Sequence, residues 1–222
     1  MSGAVEKAVR TIAPKAQDLF GVSLEGATVE TLATYAQELL RWNRVFNLTA
    51  ITEPERVAEL HILDSLAILP ELPESARIID VGSGAGLPGL VAAAVRRDVQ
   101  VTPVDRTEKK VLFMKNTAAK LGLENVRPVH VRLEGDPARE GMSSFDVAVS
   151  RAFTSPPEWI ALARNYVRGG GKIIAMLGSE LPDWAALEAS LGSDRLIVDR
   201  PYQLPSGAKR RLLVVERADQ RS

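Results

Sequence analysis

Apolar residues recur with two different spacings along the chain. In residues 4–20 and 28–46 they recur every three or four positions, which predicts two amphipathic helices. A third helix is predicted from Pro54 to Leu69, with Thr52 as its N-cap. After Arg77, short apolar runs alternate with amphipathic stretches, the pattern of a parallel sheet covered by helices on both faces. The predicted strands are residues 77–81, 99–105, 126–131, 145–150, 171–177, 196–199 and 212–215.

The second strand and the end of the chain depart from this alternation. Pro103 stands inside the second strand and cannot donate a ladder hydrogen bond, so we expect a bulge or an early end to pairing there. The last two strands have no credible helix between them. They should form an antiparallel hairpin at the edge of the sheet, joined by a loop over residues 201–209.

A glycine-rich turn follows the first predicted strand. Glycines occupy positions 82, 84, 86 and 89, and Pro88 suits the first turn of a helix. A strand that ends in such a turn and opens a helix brings backbone N–H groups close to a ligand. A purely structural turn needs fewer glycines. We therefore expect a nucleotide-like cofactor to lie across Gly82, Gly84 and Gly86.

Two acidic residues indicate which cofactor this turn binds. Asp80, at the end of the strand, would repel a pyrophosphate but suits S-adenosylmethionine, which has no phosphate and carries a sulfonium and an ammonium. Asp105 ends the second strand about 20 residues after Gly86, the spacing at which a carboxylate accepts hydrogen bonds from ribose hydroxyls. Asp80, the glycines and Asp105 together resemble the cofactor site of a class I methyltransferase.

Composition narrows the possibilities further. The 222 residues are 45% hydrophobic and suffice for one α/β domain, residues 73–222, with an N-terminal helical extension, residues 1–72. The 28 basic and 28 acidic residues cancel, so a nucleic-acid partner has to meet a local basic patch. Cysteine is absent, which excludes disulfides and cysteine nucleophiles. Without a signal peptide or an apolar span, we expect a cytoplasmic protein with no membrane partner.

Five short motifs, in order along the chain, resemble one family. They are Trp42-Asn43, Asn47-Leu-Thr-Ala-Ile51, His61-Ile-Leu-Asp-Ser-Leu66, Asp80-Val-Gly-Ser-Gly-Ala-Gly-Leu-Pro-Gly89 and Ser150-Arg-Ala-Phe153. Together they resemble the RsmG (GidB) family of bacterial 16S rRNA guanine-N7 methyltransferases. The resemblance implies a Rossmann-like class I fold, whose seven-stranded sheet is mostly parallel with the last strand antiparallel. It also implies S-adenosylmethionine as cofactor and guanine 527 in the 530 loop of 16S rRNA as substrate, in free RNA or in the small ribosomal subunit.

The same resemblance suggests which residues form the site. Cofactor contacts are expected, besides the two acidic residues and the glycines, at Leu87, Leu133, Glu134 and Arg151. Arg132 and Arg151 are expected nearest the reacting base. His61 is a further catalytic candidate, although it could equally be a structural histidine that Asp64 orients. No metal ligands are expected, and the enzyme is expected to be a monomer.

Basic and aromatic residues elsewhere offer contacts for RNA. Phosphate contacts could come from Arg41, Arg44, Lys209, Arg210 and Arg211, each of which could equally belong to a solvated basic face. Trp42, Phe46 and Phe153 could stack on a flipped base, although Trp42 and Phe46 share one helix face and suit a core as well. Leu177 stands where many family members have lysine, and Arg211 where they have histidine.

The segment after the fourth strand bears on the reaction. Enzymes that methylate exocyclic amines usually have Asn or Asp followed by Pro-Pro and an aromatic there, whereas this chain has Ser150-Arg-Ala-Phe153. The later Ser155-Pro-Pro-Glu158 is predicted to begin the next helix. Cytosine carbon-5 methylation needs a cysteine. Guanine N7 fits what remains, since its in-plane lone pair needs no base. Open alternatives are a small-molecule methyltransferase, an NAD-dependent oxidoreductase and a cofactor-binding module without catalysis.

Overall fold

The chain begins with helices and continues as an alternating α/β unit; the computed structural model describes residues 2–151, 154–180 and 182–219. The helices before the sheet are α1 (Ser2–Phe20), α2 (Gly26–Phe46) and α3 (Pro54–Val57). α3 continues as a wider π-helical turn over Ala58–Leu63, and a 3₁₀ helix follows over Leu66–Glu71.

The third predicted helix is therefore present but irregular. A π-helical turn of this kind is rare and is frequently found at functional sites, and this one contains His61. The prediction that Thr52 caps the helix is wrong, because Glu53 occupies the N-cap position. The Thr52 hydroxyl instead donates to the Glu53 carboxylate at 3.2 Å.

Within the described residues, seven strands form one sheet. They are β1 (Arg77–Val81), β2 (Gln100–Asp105), β3 (Val129–His130), β4 (Phe145–Arg151), β5 (Val167–Leu177), β6 (Arg195–Gln203) and β7 (Lys209–Glu216). Their order is β3-β2-β1-β4-β5-β7-β6. Strands β1 to β5 pair in parallel, whereas β7 is antiparallel to both neighbours. The predicted mostly parallel sheet with an antiparallel last strand is confirmed.

Pro103 is accommodated without a bulge toward β1. The two strands keep an unbroken register in which Pro103 lies opposite Asp80, so the expected interruption is wrong on that side. Backbone N–H groups of alternate strand residues point to the same edge. The N–H of Val101 donates to the Asn125 carbonyl on the β3 side, so the nitrogen of Pro103 faces β3 as well. There regular pairing begins only at Val104.

The predicted C-terminal hairpin is confirmed, but its strands are longer than expected. Residues 201–203 and 209 belong to the strands, so the connecting loop covers only residues 204–208. Pro201 pairs opposite Arg211 within the hairpin. Proline is tolerated at that position because β6 is the edge strand.

Helices cover both faces of the sheet. α4 (Gly89–Val95), α5 (Glu108–Lys120) and the helices before β1 share one hydrophobic core with the sheet, which extends from Val5 to Val214. α6 (Pro156–Ala163) and α7 (Trp184–Leu191) pack on the opposite face around Trp159. α6 begins as predicted after Ser155, whose hydroxyl donates to Glu158 at 2.9 Å. The N-terminal helices thus form one wall of the core.

Candidate active site

The glycine-rich turn connects β1 to α4 at the carboxyl edge of the sheet. Gly82, Gly84 and Gly86 have φ angles of 68°, 61° and 81°, which glycine adopts without strain. The Val104 carbonyl accepts the N–H groups of Gly82 at 3.0 Å and Ser83 at 3.1 Å, which fastens the turn to β2. A β-carbon built on Gly84 would meet nothing closer than the Gly82 oxygen at 3.8 Å. The backbone at Gly84 is therefore open to a ligand.

Asp105 joins this turn to a cavity of about 600 Å³, which we call the turn cavity. The cavity lies at the carboxyl ends of β1 and β2, and Gly82 and Asp105 line it. Asp105 Oδ2 accepts the Gly84 N–H at 3.0 Å, and Oδ1 accepts the Thr107 N–H at 2.8 Å. Lys110 Nζ lies 3.6 Å from Oδ2. The carboxylate is thus held at the wall of the cavity, with lone pairs left to accept further donors.

Asp80 lies beneath the turn instead of facing the cavity. Its side chain is 0% exposed, and Oδ2 accepts the Ser83 hydroxyl at 2.5 Å and the Gly89 N–H at 2.8 Å. Burial raises the pKa of this carboxyl to about 6. Because no part of Asp80 is exposed, the side chain has no free surface for the predicted direct contact with a cofactor and instead supports the turn from beneath.

Leu87 and Gly86 also face the protein interior. Leu87 is buried in the core, and its N–H donates to the Ser83 carbonyl at 2.9 Å. A β-carbon on Gly86 would lie 2.6 Å from a methyl carbon of Leu90. The predicted cofactor contact at Leu87 therefore has no exposed side chain to make it, and Gly86 serves close packing between the turn and α4.

The segment after β3 supplies another wall of the turn cavity. Arg132 and Leu133 line it, and the Arg132 Nε lies 3.5 Å from Glu134 Oε1. Both charged side chains are about 70% exposed, so they can adjust to a ligand. The Glu134 N–H donates to Glu140 at 2.6 Å. The structure thus places Leu133, a predicted cofactor contact, beside Gly82 and Asp105. Arg132, which was expected with Arg151 nearest the reacting base, lines this same cavity, and Glu134 does not belong to its lining.

Arg151 faces a second cavity of about 330 Å³, which we call the arginine cavity. Its lining includes Leu60, His61, Asp64, Arg151, Leu177 and Arg210. Arg151 Nη1 donates to the Leu60 carbonyl at 3.1 Å and lies 3.7 Å from Asp64 Oδ2. The structure therefore brings Arg151 and His61 together, while Arg132 lines the other cavity. β4 lies directly beside β1 in the sheet, so both cavities open at the same edge.

The Asp64 carboxylate orients arginines, and the bonds of the His61 ring go to Thr49 and Leu60 instead. It is buried, its Oδ1 accepts the Tyr202 hydroxyl at 2.8 Å, and its Oδ2 lies 3.4 Å from Arg210 Nε. The expectation that Asp64 orients His61 is therefore wrong. A single carboxylate instead fixes the two guanidinium groups that border the arginine cavity.

His61 is held by the segment between α2 and α3. Its Nε2 lies 2.8 Å from the Thr49 hydroxyl, which itself accepts the Ile51 N–H at 3.1 Å. Its Nδ1 lies 3.2 Å from the Leu60 carbonyl, so Nδ1 carries the proton and Nε2 accepts from Thr49. Burial, followed by the charge of Arg151, lowers the pKa of His61 to about 4. A ring that is neutral and hydrogen-bonded at both nitrogens is held in place, which favours the structural interpretation of His61.

Several residues that organise the site were not identified from the sequence. The Tyr35 hydroxyl on α2 donates to the Ala85 carbonyl in the glycine-rich turn at 2.8 Å. The Asn43 side chain bonds both the carbonyl and the N–H of Thr49, each at 2.8 Å. Tyr35 lies among the apolar residues of α2 and looks like a core residue in the sequence. Asn43 was visible only as part of the Trp42-Asn43 motif.

Two of the three aromatic candidates for base stacking, Trp42 and Phe46, lie within the described residues. The rings of Trp42 and Phe46 stack with centroids 5.2 Å apart, and Trp42 also packs edge-on against Phe113 at 5.8 Å. These contacts support the packing interpretation for both residues. Phe153, with Ala152 of the same motif, lies outside the described residues.

The hydrogen-bonding and charged groups at the turn cavity suit S-adenosylmethionine. The carboxylate of Asp105 can accept from ribose hydroxyls, and the open backbone at Gly84 admits close approach. Leu133 and Leu162 offer apolar surface for an adenine ring, and Lys110 can pair with a carboxylate.

Within the described ranges, no group of three or more acidic or histidine side chains could hold a metal ion. In that same part of the chain, every helix is too short or too polar to span a bilayer.

Comparison with known proteins identifies relatives over most of the chain. The sequence profile of one family, GidB, described as rRNA small subunit methyltransferase G, matches residues 28–208. The ribosomal RNA small subunit methyltransferase G of Myxococcus xanthus is 45% identical over 196 residues, which cover 87% of this chain and 90% of the relative. The protein of the same name from Anaeromyxobacter dehalogenans is 46% identical over 190 residues, covering 85% and 87%.

Solved structures share the architecture at low sequence identity. TrmN from Thermus thermophilus superposes with a TM-score of 0.58 at 18% identity, covering 70% of this chain and 48% of that protein. A SAM-dependent methyltransferase from Aquifex aeolicus gives a TM-score of 0.57 at 18% identity, covering 76% and 96%. These similarities establish the fold of the described sheet and its helices.

Proposed function

Because the chain belongs to the GidB family of rRNA small subunit methyltransferase G proteins, we propose that it methylates N7 of a guanine in 16S rRNA, guanine 527 by family resemblance. It is an S-adenosylmethionine-dependent methyltransferase. The observation that carries the finer proposal is the pair of cavities at one edge of the sheet, one with a ribose-accepting carboxylate and the other with two guanidinium groups.

The turn cavity would hold the methyl donor. Asp105 would accept from the ribose hydroxyls, and the backbone from Gly82 to Gly84 would lie against the ligand. When bound there, S-adenosylmethionine supplies an activated methyl group on a sulfonium. The contribution of this chain is to fix that ligand against a wall that is rigid before binding, because Asp105 already bonds both the turn and the start of α5.

The arginine cavity would receive the RNA. Arg151 is 22% exposed, and its guanidinium would bind a phosphate or the O6 of guanine, since a donor placed on N7 would block the reacting lone pair. N7 needs no deprotonation, so the site requires alignment and no general base. The neutral, fully bonded His61 agrees with this requirement, and we assign it to shaping the cavity.

The proposal is tested by mapping 16S rRNA from a strain that lacks this protein. Mass spectrometry of nuclease fragments should show one 7-methylguanine missing at the proposed position, and re-expression of the protein should restore it. A modification profile identical to that of the parent strain would overturn the proposal. The expected monomer and cytoplasmic location also stay predictions; light scattering of the purified protein and cell fractionation check them.

A further inference from the structure

The Tyr35 hydroxyl reaches the glycine-rich turn from a helix outside the alternating α/β unit. The Tyr35 side chain is 1% exposed, and its hydroxyl donates to the Ala85 carbonyl at 2.8 Å. Ala85 lies between Gly84, whose N–H bonds Asp105, and Gly86, whose φ is 81°. Burial raises the pKa of the phenol far above its ordinary value, so the hydroxyl stays protonated and remains a donor.

This bond fixes a peptide plane that glycine would otherwise leave free to rotate. The Ala85 carbonyl and the Gly86 N–H belong to one planar peptide and point in opposite directions. The carbonyl is held by Tyr35, and the N–H donates to the Ser83 carbonyl at 2.9 Å. Because glycine adopts positive and negative φ with similar ease, the flipped peptide would cost little once either bond is lost.

The helix that carries Tyr35 is itself anchored close by. Glu38, one turn further along α2, is buried and forms ion pairs with Arg41 at 2.5 Å and with Lys120 of α5. Asn43, two turns beyond Tyr35, holds Thr49, which in turn bonds His61. The position of the phenol is therefore set by contacts that do not involve the glycine-rich turn.

We propose that Tyr35 is a positioning residue for the methyl donor: its hydroxyl, carried by α2, holds the Ala85–Gly86 peptide so that the turn is shaped to bind S-adenosylmethionine. The inference rests on the proposed function only in taking the turn cavity as the site of that ligand. The inference makes α2 a part of the cofactor site. In the part of the chain that the structure describes, no residue of α2 lines the turn cavity itself.

The test is the Tyr35→Phe variant, which removes one oxygen and keeps the ring. Isothermal titration with S-adenosylmethionine, without RNA, should give a Kd raised about fivefold or more, the effect of losing one buried hydrogen bond. The stoichiometry should stay at that of the wild type. In single-turnover methyl transfer at saturating donor, the rate of the transfer step should stay within about twofold of the wild type. In steady-state assays the variant should therefore show a raised KM for S-adenosylmethionine and an unchanged kcat. A loss of folded protein would instead lower stoichiometry and rate together.

Tyr202→Phe is the matched control, because it also removes a buried phenol oxygen but one bonded to Asp64 at the arginine cavity. Its Kd for S-adenosylmethionine should equal that of the wild type. If the wild type binds S-adenosylmethionine and Tyr35→Phe binds it with the same Kd, the inference is wrong and the proposed function stands. Failure of the wild type to bind S-adenosylmethionine would instead count against the function itself.

A measurement on the unmodified protein completes the test in case Tyr35→Phe does not fold. In the wild type without ligand, hydrogen exchange should show the Gly86 amide protected to a degree comparable with the Leu90 amide in α4. Exchange of Gly86 at the rate of an unstructured peptide would mean that Tyr35 does not fix the turn, and the inference would be wrong.

Discussion

At the scale of single residues, Gly84 is a position where the turn is open to a ligand. A side chain there faces a φ of 61° and otherwise empty space. We expect Gly84→Val to abolish S-adenosylmethionine binding, because the side chain occupies the volume in which the ligand approaches the backbone, at a strain cost of about 1–3 kcal/mol. Titration calorimetry measures the binding, and circular dichroism verifies that the fold is retained.

Gly122→Val provides the control for Gly84→Val. Gly122 has a φ of 60° and nothing within 4 Å of an added β-carbon, but it lies in the turn after α5. It should lose similar stability and bind the cofactor normally. Equal affinity in the two variants would remove the glycine-rich turn from the cofactor site.

In the proposed reaction, Arg151 is the residue on which we expect the orientation of the RNA to depend most. We expect Arg151→Ala to keep the fold and to lower methyl transfer by about 10²-fold, as misplacement does in a reaction driven by alignment. Arg151→Lys should restore little, because an ammonium lacks the planar two-point contact. Single-turnover transfer of labelled methyl to small-subunit RNA, at saturating cofactor and RNA, measures the effect.

The control for Arg151 is Arg127→Ala. Arg127 is exposed and lines a separate cavity near the first residues of β1 and β2, at the amino edge of the sheet. This variant should transfer methyl at the wild-type rate. If Arg151→Ala does so as well, Arg151 is an ordinary surface cation.

His61 gives the protein a measurable dependence of stability on pH. Its pKa is about 4 in the folded state and about 6.5 when unfolded, so the unfolded chain binds the extra proton between these values. Stability is therefore lost as the pH falls from about 6.5 to 4. Asp80, whose pKa is raised to about 6, acts in the opposite sense, because its contribution is lost as the pH rises through 6.

The two contributions separate when His61 alone is changed. Between pH 7 and pH 4, the wild type should lose about 3 kcal/mol of unfolding free energy relative to His61→Gln. Urea unfolding at each pH gives the difference, in which the Asp80 contribution cancels. His130→Gln, at an exposed position on β3, should track the wild type. Parallel pH profiles for His61→Gln and the wild type would show that His61 titrates normally.

At the scale of secondary-structure elements, Glu38 ties α2 to α5. Burial raises the pKa of Glu38, but hydrogen bonds from Arg41 and Lys120 bring it below its ordinary value. Both cations are more than half exposed, so we expect Glu38→Gln to lower the unfolding free energy by only about 1–2 kcal/mol. Chemical denaturation measures it. The control is Glu6→Gln, which breaks an exposed pair with Arg10 on α1 and should lower the unfolding free energy by less than about 0.5 kcal/mol. Equal losses in the two variants would show that the Glu38 ion pairs do not fasten α2 to α5.

Elements set by local pattern were predictable, and contacts between distant segments were not. The glycine turn, Asp105, the capped start of α6 and the hairpin follow from spacing and turn chemistry within about 20 residues. No local pattern indicated that Asp64 would hold Arg210, which is 146 residues away. Nor could a strand-end aspartate reveal that Asp80 is covered by Ser83 and Gly89, because burial depends on the packed turn. The π-helical turn at His61 depends likewise on its tertiary neighbours.

At the scale of the whole molecule, the N-terminal helices cannot be separated from the sheet without exposing its core. Leu32, Leu39, Ile62, Leu63 and Leu66 are all 0% exposed. Burying five such side chains contributes about 7–15 kcal/mol, as much as the net stability of a typical domain. We therefore expect residues 73–222 alone to lack a cooperative thermal transition. This also tests the predicted boundary at residue 72.

The measurement is calorimetry of the fragment beside the full chain, followed by addition of a separately prepared 1–72 fragment. Recovery of a cooperative transition on mixing would show that the missing wall had been restored. A fragment 73–222 that unfolds cooperatively by itself would make the N-terminal helices an appendage and not a part of the core.

The position of β7 between β5 and β6 has a consequence for how the chain is made. β7 is synthesised after the other six described strands, yet it must insert between two strands that are already present. Until it does, one edge of β5 and both edges of β6 lack a partner, and the core shared by Val5 and Val214 stays incomplete. Nascent chains with unpaired strand edges aggregate readily. This rRNA methyltransferase thus completes its sheet only after the last of the seven described strands has been synthesised.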